Sequence, residues 1–289
     1  MLEPNETYSA TIIWDIESFQ RDIPRITIEG SGNLSDIPQS LMNYTKEADP
    51  WRSPPDISLN TSGWDNTSYY NLTLREVALL LKGDSENVLR ILLNDVEWIT
   101  KYIQYYSASP TYPVETARNQ KGDCDDQSNL LIALLRTQGV PAFLMMGQVY
   151  LSYDAYANIT DTSMDGYFFY ESHYTAGHAW AMVYVPPWGW LPCDPVATYT
   201  DYPDYAITGA IVRYPITLIF KNITGVYEEE GADYIGYLRE ETKRAEEMSI
   251  YYWLIQDMEQ LVIPQYKILL GSLIFILYTE IVCFTALII

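Results

Sequence analysis

The spacing of apolar residues changes period several times along the chain. Residues 7–29 hold two short runs, TYSATIIWDIE and RITIE, rich in β-branched residues, and these predict short strands separated by polar turns, or else a set of surface loops. Residues 49–65 carry Pro50, Pro54, Pro55 and Gly63 and read as loop. From Leu74 to Lys82 and again from Ser85 to Tyr105 the apolar positions recur at helical spacing. In the second stretch Val88, Ile91, Leu92, Val96, Ile99 and Ile103 form the stripe and Ser85 is the expected N-cap. A third helix is predicted after Cys124: Asp125 and Asp126 suit a positive N-terminus, Leu130, Leu131, Leu134 and Leu135 form the apolar face, and Gly139 and Pro141 end it. Strands follow at 142–152, 178–185 and 190–194, with PPWG at 186–189 as the turn between the last two. An acidic stretch with interspersed Lys and Arg, 228–247, predicts a solvated helix.

The last 22 residues, Ile268 to Ile289, contain one charge, Glu280, and as a helix would cross a hydrocarbon layer of about 30 Å. They are expected to form a transmembrane helix, with Glu280 a point where a transmembrane partner could meet it. Eight of the 12 asparagines begin an Asn-x-Ser/Thr sequon, at Asn5, Asn33, Asn43, Asn60, Asn66, Asn71, Asn158 and Asn222. Chance would give about two, so these are read as glycosylation acceptors on an exported region comprising residues 1–267, outside the cell membrane. No apolar signal segment lies in residues 1–30 and no basic anchor follows Ile289, so further residues are expected beyond both ends. The expected organisation is a β-rich, sequon-dense region at 1–73, a catalytic-type domain at 74–225, a helical connector at 226–267 and the membrane helix at 268–289.

Composition narrows the function classes. The 289 residues are 48% hydrophobic and 19% charged, which supports a sizeable core. Seventeen basic against 38 acidic residues give a net charge of −21, so a nucleic-acid partner is excluded on electrostatic grounds. Two histidines and three cysteines are too few for a multi-Cys zinc site or a disulfide scaffold, and no cofactor or metal is implied.

Cys124 stands at a predicted helix N-terminus, where unpaired N–H groups and the macrodipole favour the thiolate. Its neighbours Asp123, Asp125 and Asp126 oppose that, so a nearby imidazolium is required. In the run His178-Ala-Trp-Ala-Met-Val-Tyr-Val, alternation puts His178, Trp180, Met182 and Tyr184 on one strand face and the small apolar residues on the other. Asp194 follows the PPWG turn, and a hairpin can bring it to the imidazole. The midpoint of 178 and 194 falls short of the turn centre, so the pairing needs a stagger or a bulge. Cys193, one residue before, should point to the opposite, packed face.

Five segments in order, Trp98-Ile-Thr-Lys-Tyr-Ile-Gln-Tyr, Lys121-Gly-Asp-Cys-Asp-Asp-Gln-Ser, Leu134-Leu-Arg-Thr-Gln-Gly-Val-Pro-Ala, Gly177-His-Ala-Trp and Gly189-Trp-Leu-Pro-Cys-Asp-Pro, resemble the transglutaminase-like superfamily. The resemblance covers roughly residues 87–200. It implies an α+β, papain-like core in which the helix carrying the cysteine packs on an antiparallel sheet. Cys124 would be nucleophile, His178 general base and Asp194 the orienting acid. It implies attack on a peptide or side-chain amide through a thioester, with hydrolysis if water accepts the acyl group and transamidation if an amine does. Because the superfamily includes copies without catalysis, a cysteine peptidase or amide hydrolase, a cross-linking transamidase and a non-catalytic adhesion module all remain readings of the chain.

The Cys124 N–H would be one oxyanion donor, and Asn119 or Gln120 are candidates for the second. Trp180, Trp188 and Trp190 could line a groove for a protein or peptide substrate. Asp161-Thr-Ser-Met-Asp-Gly166 has the opening of a calcium loop, but the twelfth position is Ser172 rather than glutamate, so it reads as a polar turn.

Overall fold

A computed structural model describes residues 10–18, 25–46, 59, 72–107, 109–150, 158–198, 202–213, 217–223, 233–262 and 280–288. At its centre lies helix α4 (Cys124–Thr137), in which every residue from Asp125 to Arg136 is buried. A helix so enclosed needs partners on all sides. Helices α1 (Leu74–Lys82), α2 (Val88–Tyr102) and α3 (Pro113–Asn119) cover one side, and an antiparallel sheet covers the other. That sheet has the order β8 (Gly189–Cys193), β7 (Thr175–Val185), β4 (Ala142–Tyr150), β9 (Thr217–Ile223). Its inner face carries Ala142, Leu144, Ala179, Ala181, Val183 and Val185 against Leu130, Leu131, Leu134 and Leu135, all buried in one core. This is the predicted helix on an antiparallel sheet.

The ends of the central elements are tied by polar groups. In α1, Thr73 and Glu76 form a reciprocal capping box. The cap of α2 is Asn87 rather than Ser85: its Oδ1 accepts from Arg90 N–H at 2.9 Å while its amide donates to the carbonyls of Ile28 and Ser31 at 3.0 and 3.2 Å. The Asn87 amide caps the helix through its oxygen and donates to two carbonyls through its nitrogen, whereas a serine hydroxyl has one proton to donate. At the other end of α4, buried Arg136 donates to Ala142 O through two nitrogens and to Lys46 O through the third, so the helix, the start of β4 and the N-terminal region share one cation.

A second sheet runs β1 (Ala10–Ser18), β11 (Glu280–Ile288), β10 (Tyr252–Val262), β6 (Phe168–His173), β5 (Ile159–Ser163), antiparallel except for the β10–β6 pair. Two short strands, β2 (Gln104–Tyr105) and β3 (Lys121–Gly122), run parallel just before α4. Helix α5 (Tyr205–Arg213) packs on β8, and α6 (Tyr234–Met248) returns toward the N-terminal end of α4.

Several expectations are corrected. The run RITIE is not a strand: Ile28–Gly30 is a turn of 3-10 helix, because the Thr27 hydroxyl accepts from Gly30 N–H and closes it, and residues 34–36 and 39–45 are 3-10 as well. Among the described residues of the connector, 233–262, the helix is α6, and β10 follows it. The membrane helix expected over 268–289 is replaced over Glu280–Ile288 by strand β11, paired along its whole length with β1 and β10. Ile281, Val282, Phe284 and Thr285 are good strand formers, and two neighbours satisfy both edges of the backbone. The rest of that run up to residue 279 lies outside the described residues. Among the described residues no helix is long and apolar enough to cross a membrane.

Candidate active site

The local sequence explains why a cysteine sits where it does. Asp123 has extended backbone and its carbonyl accepts the first helical bond, from Gln127 N–H at 3.0 Å, so Cys124 is the first residue of α4. The Asp126 carboxylate accepts from Thr111 N–H at 2.7 Å and Asp123 N–H at 3.4 Å, fixing the turn from both sides. Gly122 is required by close approach: a Cβ there would stand 2.5 Å from Asp126 Cβ and 3.0 Å from Thr116 Cγ2. The Gly-Asp-Cys-Asp-Asp segment is therefore packed as a unit.

Strand β7 supplies the base. Its inner-face residues, Ala179 to Val185 in alternation, are buried, so His178 stands on the outer face with Trp180, as predicted. Ala179 clamps the strand to α4: its N–H donates to the Cys124 sulfur, and its carbonyl accepts from Ser128 Oγ at 3.4 Å. The thiol is thereby held against the residue next to His178. The imidazole, only 9% exposed, is stacked on Trp180 with ring centres 6.0 Å apart.

Asp194 completes the arrangement. Its Oδ2 lies 2.7 Å from His178 Nε2, its Oδ1 accepts from Val196 N–H at 3.1 Å, and it is fully buried. No bulge is needed for this. In the β7–β8 hairpin Ala181 faces Cys193 and Val185 faces Gly189, which places Asp194 just past the strand end on the His178 face, one diagonal step away. Cys193 points the other way and is fully buried. With Nε2 bound to the carboxylate, Nδ1 is the nitrogen that must take the thiol proton.

The electrostatics are less simple than a ready thiolate. Burial pushes the Cys124 thiol up, and Asp123 where it is ionised, Asp125 and Asp194 push it further, while the Ala179 N–H pulls it down. At rest Cys124 is therefore a thiol. Burial and the adjacent Asp125 carboxylate also raise Asp123 well above the carboxylate range, so it carries a proton at neutral pH and withdraws one negative charge from beside the sulfur. Asp125 is turned to α6, where Tyr234 Oη donates to it at 2.7 Å.

Asp123, Cys124 and Asp125 place one ligand atom each within 4.8 Å of one another, the only such trio among the described residues. A metal there would occupy the nucleophile, so the group is assigned no metal. The calcium-like segment is spent internally. Asp161 accepts from Thr162 N–H and Tyr170 Oη, and Asp165 accepts from Ser109 Oγ. His173 pairs with Glu171 at 3.3 Å at the end of β6.

Of the three tryptophans expected at a groove, only Trp180 touches the site. Trp190 packs against Tyr44, Phe143 and Tyr184, and Trp188 packs against the core beside Gly30. Trp190 lies across from Tyr184, six residues along β7 from His178, or about 20 Å of strand. These two rings bind the N-terminal region to the sheet. Gln120 caps α3 in a left-handed conformation and its carbonyl accepts from Gln104 N–H. Among the sequons, Asn33 and Asn158 are exposed, Asn43 is half-buried and Asn222 lies in β9, while Asn5, Asn60, Asn66 and Asn71 fall outside the described residues. Tyr105, Tyr170 and Tyr234 surround the thiol and its acids without any signal in the sequence that foretold it.

A cysteine at a helix N-terminus, beside a strand whose histidine binds a buried carboxylate, is the arrangement of papain-type thiol enzymes. Residues 81–195, the part of the chain that holds Cys124, His178 and Asp194, match the family profile of the transglutaminase-like superfamily. Solved structures similar to the chain include a candidate cysteine protease from Cytophaga hutchinsonii, 17% identical with a TM-score of 0.42, covering 71% of this chain and 52% of that one. The periplasmic domain of TgpA from Pseudomonas aeruginosa is 16% identical with a TM-score of 0.35, covering 60% of this chain and 51% of that one. The chain thus spans about half the length of each. No curated protein matches it.

Proposed function

We propose that the chain is a thiol enzyme that takes an acyl group from a peptide or side-chain amide onto Cys124 and passes it to water, acting as a cysteine peptidase or amide hydrolase. The observation that carries this reading is the 2.7 Å bond between His178 Nε2 and a fully buried Asp194, on the strand whose next N–H holds the Cys124 sulfur. A buried carboxylate bound to a histidine beside a thiol is costly to keep for packing alone.

In the reaction, Nδ1 of His178 takes the thiol proton as sulfur bonds to the carbonyl carbon and the C=O pair moves onto oxygen. Asp194 stabilises the imidazolium. The carbon–nitrogen bond then breaks, with the imidazolium protonating the leaving amine, and water, activated by the same imidazole, resolves the thioester. Since the thiol is raised and not pre-ionised, activity should rise with pH through the neutral range.

The test is mass spectrometry of the chain after mixing with a casein digest. A covalent adduct on Cys124, peptide fragments, and loss of both in Cys124→Ala support the enzyme. If a dansylated amine is incorporated into casein instead, the acceptor is an amine and the chain is a transamidase. A chain that forms no adduct is the adhesion module.

Attachment to the outside of a membrane is part of the same proposal and rests on the eight sequons and the 22-residue apolar run. To enter hydrocarbon, residues 280–288 would have to leave their pairing with β1 and β10 and the whole run would have to be helical, since open strand edges leave the backbone unsatisfied there. Glycosidase-sensitive mass and carbonate-resistant membrane association, lost on deleting residues 263–289, are the expected results.

A further inference from the structure

We propose that the hydroxyl of Tyr105 is the second oxyanion donor, completing with the Cys124 N–H the pair that holds the carbonyl oxygen as the thioester forms. The inference rests on the proposed acyl chemistry and names a residue for it. Tyr105 is placed by backbone geometry: β2 runs parallel to β3, with Tyr105 registered on Gly122, two residues before the nucleophile. Gln104 N–H donates to Gln120 O at 2.9 Å and Tyr106 N–H to Gly122 O at 3.1 Å, so the residue is held on both flanks.

Two phenols, Tyr105 and Tyr170, are coupled electrostatically to the sulfur, and they differ in what their protons do. Tyr170 Oη donates to Asp161 at 3.3 Å, so its proton is already used. Tyr105 donates to no group among the described residues and the residue is 58% exposed, so its hydroxyl can meet an incoming carbonyl. Burial of the phenol, then the neighbouring Cys124, Asp123, Tyr170 and Asp125, oppose its ionisation, so it stays a donor across the working pH range. Asn119 and Gln120, the alternatives in the sequence, end α3, and the Gln120 carbonyl is occupied in holding β2.

The test separates acylation from thiol reactivity. With p-nitrophenyl acetate the sulfur bonds to the acetyl carbon, p-nitrophenolate leaves, and the transition state carries an oxyanion. Alkylation by iodoacetamide displaces iodide and has none. On the full chain, Tyr105→Phe should slow the p-nitrophenolate burst by about 10- to 1,000-fold while changing the iodoacetamide rate by less than about twofold. Tyr170→Phe should leave the burst within about threefold of the parent. A Tyr105→Phe chain that acylates at the parental rate overturns the inference. So does one in which both reactions slow together, because the tyrosine would then act on the thiol or the fold. A parent chain that gives no burst sinks the proposed function together with this inference, whereas an active parent unaffected by Tyr105→Phe sinks only the inference.

Discussion

Asp194 has both carboxylate oxygens committed, one to His178 Nε2 and one to Val196 N–H. In Asp194→Asn the amide oxygen can keep the backbone bond, which turns the NH2 group toward the imidazole. Nε2 must then accept, Nδ1 carries the proton, and the ring can no longer take a proton from the thiol. The expected loss is about 10³- to 10⁴-fold in the p-nitrophenolate burst, with the melting temperature little changed. A second buried acid, Asp95, has a different role. Gln138 Nε2 donates to its Oδ1 at 2.8 Å, while Asp95 Oδ2 and Gln138 Oε1 have no partner in the unprotonated pair. Burial raises the Asp95 carboxyl well above its ordinary value, and a proton on it supplies a donor where two acceptors otherwise stand idle. The folded state then holds a proton that the unfolded chain releases near pH 4, so the contribution is full below that pH and declines as pH rises toward the folded value. Asp95→Asn removes this slope. Its stability should gain on the parent by up to about 1.4 kcal/mol per pH unit above pH 4, as read by urea unfolding at several pH values.

Helix α6 shows how an element can look solvated in sequence and yet be part of the site. Its charges are mostly exposed, but Tyr234 and Ile235 are buried and reach α4, the helix that begins at Cys124. Tyr234 Oη donates to Asp125 and accepts from Asn129 Nδ2 at 2.5 Å, Tyr112 donates to Asp233, and Arg239 binds Glu115 and Pro110 O while stacking over Tyr112. The Arg239–Glu115 pair is more than a third exposed on both sides and so contributes little by itself. The buried phenol matters more. Tyr234→Phe leaves Asp125 and Asn129 each short of a partner in the core and should cost about 1–3 kcal/mol in urea unfolding, against less than about 1 kcal/mol for Arg239→Ala. Equal effects would show that the helix docks through its surface charges.

For the molecule as a whole, a net charge of −21 concentrates negative potential on the surface that a substrate must approach. Self-repulsion also opposes folding and is screened by salt. Thermal stability should therefore rise between about 10 and 150 mM NaCl, and turnover of a lysine-rich peptide should fall over the same range while that of an acidic peptide rises. Equal salt responses of the two peptides would mean that the entrance to Cys124 is locally neutral despite the total charge.

Much of this was written in the chain. Helical period in 74–102 and 124–137, alternation in 178–185 and the Pro-Pro-Trp-Gly turn specify elements through local sterics and side-chain spacing, and they place Cys124, His178 and Asp194 within one helix and one hairpin. Those signals are local, so one sequence carries them. The short run RITIE carried too weak a local preference to resist the Thr27 turn and the Asn87 amide 59 residues away. The apolar run at the C-terminus suits a membrane helix by length and a strand by side-chain type, and pairing with β1 and β10 decided for the strand over Glu280–Ile288. Tyr105 and Tyr234 could not be foreseen, because a two-residue strand has no period to read and the Tyr234–Asp125 bond joins residues 109 apart. Local spacing determined which residues could do the chemistry. Only the packed structure decided their electrostatic surroundings, since burial and long-range neighbours set the proton on Asp123, the thiol state of Cys124 and the partner of Asp125.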